Sequence, residues 1–136
     1  RTFDPDLRAE IYDEIRQVAS GVALGTGTEI SVEFDVGGFY PVTFNDEDLV
    51  KRLTPSLKQA ASNKVYEMTP STGAEDFSFF SNEIPGMYFF IGGTKKGVDL
   101  STSAPHHTPD FYVDDSALAT GVRSMTSLAL DYIFEN

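Results

Sequence analysis

Leu7, Ile11, Ile15, Val18 and Val22 recur at spacings of four, four, three and four, the period of a helix with one apolar stripe. Asp4-Pro5 ahead of them is a helix start: an N-cap carboxylate, then a residue that needs no amide hydrogen at the first helical position. Gly25-Thr26-Gly27 ends this helix. The period then drops to two. Ile30, Val32, Phe34 and Val36 alternate with Ser31, Glu33 and Asp35, which predicts a half-buried strand over 28–36. A second helical pattern carries Leu49, Val50, Leu53, Leu57 and Ala61, with Asn45 or Asp46 as its cap. Pro55 inside it is expected to kink or split it. A short strand is expected over 64–68. A short helix is expected over 73–82, where Thr72 and Glu75 have capping-box spacing. Met87 to Ile91 is a continuous apolar run, the pattern of a strand covered on both faces. The Gly/Ser/Thr/Pro-rich stretch 92–109 reads as a long loop. The last helix starts at Asp114 or Asp115 and should bury Leu118, Val122, Met125, Leu128 and Tyr132.

This alternation of helices and strands predicts an α/β layer arrangement. The half-buried strand at Ile30 and the fully apolar one at Tyr88 belong to different sheets on this reading, with a break near residues 40–45. Composition then narrows the possibilities. The 136 residues are 40% hydrophobic and 23% charged, so a folded core burying about 70% of the unfolded chain's surface is expected. Ten Lys and Arg stand against 21 Asp and Glu, a net charge of −11. That balance argues against a nucleic-acid partner and against anionic membranes. No apolar run approaches the ~18 residues of a membrane span. There is no cysteine, which removes disulfides, thiolate ligands and a Cys nucleophile.

Three places carry candidate chemistry. His106-His107-Thr108-Pro109 holds both histidines of the chain in one polar loop. Pro109 disfavours helix at Thr108, so an extended, rigid backbone is expected there. A solvated pair is the plainer reading; a metal ligand or general acid/base is the sharper one. Gly73-Ala74-Glu75-Asp76 is read first as a local helix cap. Its small residues also expose amide groups that suit a carboxylate or phosphate, and Glu75 can serve as an acid/base or as a partner to an imidazole. Asn45 is by default a cap, and at a junction between units it can also reach a bound substrate.

Taken in order, Tyr40-Pro41, Asn45-Asp46, Gly73-Ala74-Glu75-Asp76-Phe77, Pro85-Gly86 and His107-Thr108-Pro109-Asp110-Phe111 resemble the C-terminal part of a metal-dependent amidohydrolase of the metallopeptidase family. That family includes hippurate hydrolases, N-acyl-amino-acid amidohydrolases and indoleacetyl-amino-acid hydrolases. The resemblance covers essentially the whole chain. It implies a binuclear-metal, aminopeptidase-like α/β catalytic domain with an inserted ferredoxin-like α+β lid that often makes a dimer contact. Residues 1–44 resemble the second half of the lid and 45–136 the closing segment of the catalytic domain. On the same ground His107 matches the last metal ligand and His106 does not. Gly73, Ala74 and Asn45 match substrate-side positions, and Glu75 and Asp76 lie behind them. The general base and the other ligands match nothing here, so no catalytic residue is assigned to this chain. The resemblance implies two divalent ions in the complete enzyme, zinc first and manganese or cobalt as alternatives, activating a water that attacks an N-acyl or N-aminoacyl amide. The chain by itself is expected to be a fragment, inactive and without a tightly held metal. It further implies a small N-acyl amino acid or short peptide as partner, a homodimer or higher homo-oligomer, and a cytoplasmic location. The alternative is a non-enzymatic assembly module or a decayed relative.

Overall fold

The structure, a computed structural model, describes residues 1–134. Its elements are α1 (Pro5–Thr26), α2 (Glu47–Ala60), α3 (Phe77–Ser81), a 3₁₀ turn (Leu100–Thr102) and α4 (Ser116–Phe134). The residues group into two compact units. One comprises Arg1–Phe44 with Thr69–Ile84; the other comprises Asn45–Met68 with the chain from Pro85 onward. The segment Thr69–Ile84 thus groups with residues 1–44.

In the first unit, α1 begins and ends where its local chemistry dictates. The Asp4 carboxylate accepts from the amides of Asp6 and Leu7, satisfying two donors that have no partner inside the helix. Gly27 closes the other end at φ 65, a left-handed position that glycine occupies without a steric penalty. The expected stripe is not what this helix covers: Leu7, Ile15, Val18 and Val22 are 43–67% exposed. The chain after the helix instead lies against the neighbouring Arg8/Tyr12/Arg16 face. Phe34 stacks on Tyr12 at 3.9 Å, the Arg16 guanidinium sits over Phe34, and Arg8 sits over Phe39 while ion-pairing with Asp35. The hydrogen bonds that Arg8 donates to Tyr12 and to Asp35 raise its pKa.

In the second unit, the Asp46 carboxylate accepts from the Leu49 amide and caps α2. Pro55 does not split α2, which continues as one helix to Ala60. The amide that Pro55 lacks would have bonded the carbonyl of Lys51, and both residues are exposed, where solvent can take the place of that donor. Helix α2 packs on α4. Leu53, Leu57 and Leu128 are the buried core, flanked by Leu49, Val65, Met87 and Phe89. Arg52 donates to the carbonyls of Asp131 and Tyr132 at the C-terminal end of α4, where cations complement the helix dipole.

The expectation of an α/β sheet is not met: among the described residues none lies in a strand. A strand exists only when a neighbouring backbone completes its hydrogen bonds. Residues 28–36, 64–68 and 87–91 find no such neighbour among the described residues, only isolated bonds such as Lys64 N–H to Ala61 O and those of the Tyr88 backbone with the Asn45 side chain. The 87–91 run is covered on one face rather than two. Met87 and Phe89 join the leucine core, while Phe90 is 58% exposed. The buried face of α4 also differs from expectation. Ser124 and Leu128 are buried, whereas Leu118, Val122, Met125 and Tyr132 are more than half exposed. The accessible area is 11,045 Å². An unfolded chain of this mass exposes about 21,600 Å², so roughly half is buried instead of about 70%.

The start of α4 gives a pH prediction. Asp114 Oδ1 accepts from the Ser116 amide at 3.0 Å, and the carboxyl is held below its ordinary 3.8 by hydrogen bonds from the Ser116 side chain and backbone, with Lys95 adding a smaller attraction. A carboxyl whose pKa falls on folding stabilises the fold above the unfolded value and ceases to do so as pH falls through the folded value. Protection of the Ser116 amide should therefore hold at pH 6 and drop below about pH 4. In Asp114→Asn, which keeps the acceptor without the charge, that step should vanish. The same step in the variant would contradict the assignment.

Candidate functional site

The histidines sit in a turn over residues 105–108 in the second unit. The Thr108 hydroxyl closes it on the Pro105 carbonyl at 2.8 Å, and the Phe111 amide then bonds the Thr108 carbonyl at 3.1 Å. His107 has φ 63, so the backbone expected to be extended is left-handed at this residue. His106 meets the Phe111 ring edge-on at 4.8 Å, and the two imidazoles lie 6.4 Å apart. Both histidines are exposed. Among the described residues no group of three or more His, Cys, Asp or Glu is placed to hold a metal ion. His107 is chemically suited to be one ligand; the set required for an ion is not present.

Gly73 and Ala74 lie in the first unit, exposed, in the stretch leading to α3. The helix expected from residue 73 starts only at Phe77, so these two residues are not a helix start. The predicted capping box is replaced by a tighter local bond, with Glu75 Oε1 accepting from the Phe77 amide at 3.3 Å. Asp76 holds the N-cap position of α3 without a side-chain cap bond. A methyl group at Gly73 would meet only Ser71 Oγ, at 3.8 Å, so the space here is open. Ser78 on α3 is fully buried with an unpartnered hydroxyl, which hydropathy patterning could not flag.

Asn45 uses both ends of its amide on one residue. Its Nδ2 donates to the Tyr88 carbonyl at 2.9 Å, and its Oδ1 accepts from the Tyr88 amide at 2.7 Å. The pair reproduces the reciprocal bonding of two residues in an antiparallel ladder. It fixes the first turn of chain before α2 to the apolar 87–91 segment. The structure thus groups Asn45, His106 and His107 with one unit and Gly73 to Asp76 with the other.

The comparisons with known proteins fall along the whole of this chain. The model of peptidase family M20/M25/M40 matches residues 3–131. Thermostable carboxypeptidase 2 of Saccharolobus solfataricus is 32% identical over 134 residues, covering 97% of this chain and 32% of that protein. N-acetyldiaminopimelate deacetylase of Lacticaseibacillus paracasei is 30% identical over 115 residues, 85% of this chain and 28% of that protein. The putative amidohydrolase YhaA of Bacillus subtilis is 26% identical over 133 residues. The chain spans about a third of the length of these relatives. No solved structure matches it.

Proposed function

This chain belongs to peptidase family M20/M25/M40, and from that premise we propose that it is the C-terminal portion of a metal-dependent hydrolase of N-acyl or N-aminoacyl amino acids. The observation that carries this reading is the family match across residues 3–131, joined to relatives named as carboxypeptidases, a deacetylase and an amidohydrolase. All of those names describe cleavage at an amide. Residues 1–44 are read as part of a lid that assembles into a dimer, and 45–136 as part of the catalytic domain.

In this reading His107 supplies one ligand to a divalent ion, zinc first among candidates, whose chemistry when bound is to polarise water or carbonyl. The resemblance assigns the remaining ligands to no residue of this chain, and on this reading the 136 residues alone are expected to hold no ion tightly and to be inactive. What this chain contributes is placement. Gly73 and Ala74 leave open space for the substrate's carboxylate, and Glu75 steadies the backbone behind them through Phe77. Asn45 holds the Tyr88 backbone at the entry to α2.

The test uses a hydrolytically active protein that contains this chain. His107→Ala should lower kcat/KM on an N-acyl amino acid by about a hundredfold or more, the upper range for lost support of a metal site. His106→Ala should cost less than about tenfold on the same scale. Equal losses, or a larger one at His106, would overturn the assignment.

A further inference from the structure

A residue with a Cβ pays for a left-handed backbone, and it keeps one only where its surroundings over-determine it. His107 is such a residue, at φ 63 in the third position of a four-residue turn, a place that ordinarily asks for Gly or Asn. Four restraints surround it. Pro105 and Pro109 bracket the turn with fixed φ values. The Thr108 hydroxyl ties the turn's end to its start at 2.8 Å. Phe111 grips the loop twice, by its amide on the Thr108 carbonyl at 3.1 Å and by its ring against His106 at 4.8 Å. None of these contacts involves the imidazole of His107 itself. The neighbours on both sides are held while that ring is left exposed, an arrangement that fixes a direction without occupying the group.

We propose that Thr108 and Phe111 are positioning residues for His107, holding its backbone left-handed so that the imidazole is presented in one direction. The proposal rests on the reading of His107 as a functional side chain. It predicts that the histidine is retained at a conformational cost which glycine would not pay.

Amide hydrogen exchange at residue 111 in the 136-residue chain tests this. With the turn intact, His107→Gly should be roughly five- to thirtyfold more protected there than His107→Ala, the ratio set by the left-handed penalty. In a Phe111→Ala background that advantage should collapse to less than about twofold on the same scale. Thr108→Ser, which keeps the hydroxyl, should retain it, and Thr108→Val should lose most of it. Equal protection for Gly and Ala at 107, or an advantage unaffected by Phe111→Ala, would overturn the proposal. In a hydrolytically active protein containing this chain, Phe111→Ala should lower kcat with little change in KM, and Thr108→Ser should behave as the parent. The two readings fail separately. Full hydrolysis by His107→Gly would remove the functional role of His107, and with it the purpose assigned to the turn. A missing Gly advantage would remove the positioning role and leave His107 as ligand.

Discussion

Leu57→Ala should unfold the α2–α4 pair under conditions where the parent chain is folded. Among the described residues, Leu53, Leu57 and Leu128 form the buried core of that unit, with Leu49, Val65, Met87 and Phe89 partly buried around them. Truncating a buried leucine removes its transfer free energy and leaves a cavity, together costing about 2–5 kcal/mol. Whole domains are stable by only about 5–15 kcal/mol, so a core this small has little in reserve. In a urea titration followed by helical circular dichroism, the midpoint should fall by more than about 1 M. Leu130→Ala makes the control. It lies on α4, the other helix of the pair, at 50% exposure and should shift stability by no more than about 0.5 kcal/mol. Comparable effects at 57 and 130 would show that the pair is not held by its leucines.

The second large effect concerns association. Val18 and Val22 on α1, and Leu118, Val122 and Met125 on α4, form apolar faces exposed by 59–67%. Folded monomers of 14.9 kDa expose about 7,000 Å², against 11,045 Å² here. Apolar helix faces left exposed in this way favour association, and a standard interface takes about 800 Å² from each partner. The net charge of −11 opposes self-contact. Its reach shrinks from about 30 Å at 0.01 M salt to about 8 Å at 0.15 M. Sedimentation at tens of micromolar should therefore show species heavier than 14.9 kDa whose share grows as salt is added. A monomer at every salt concentration would count against the two faces being adhesive.

The parts of the fold that were legible in the sequence are those decided within a few residues. Asp4, Gly27 and Asp46 cap their helices because a side chain or a free φ acts on its own neighbourhood. The strands were not decided locally. The alternation at Ile30 to Val36 is a proper strand pattern, but pairing depends on a second backbone that the pattern does not contain. The contact face of α4 escaped for another reason. Burial falls on Ser124, one turn before the buried Leu128, and hydrophobic periodicity passes over a serine. In the candidate site, the run from His107 to Phe111 contributed to the family resemblance only together with the other motifs in their order. The left-handed turn of His107 was invisible, since histidine is not the residue one reads as demanding positive φ. Asn45 was legible as a polar residue at a junction, and its grip on the Tyr88 backbone required coordinates.

The interleaving of the two units has a consequence for synthesis. The first unit is complete only once residue 84 has been made, and the second draws on segments from both sides of it. Leu57 leaves the ribosome roughly 70 residues before Leu128, its partner in the core. At about 5–20 residues per second, α2 waits about 4–14 s with its apolar side uncovered. The helix whose leucines anchor the second unit is thus the one whose apolar side waits longest for cover as the chain is made.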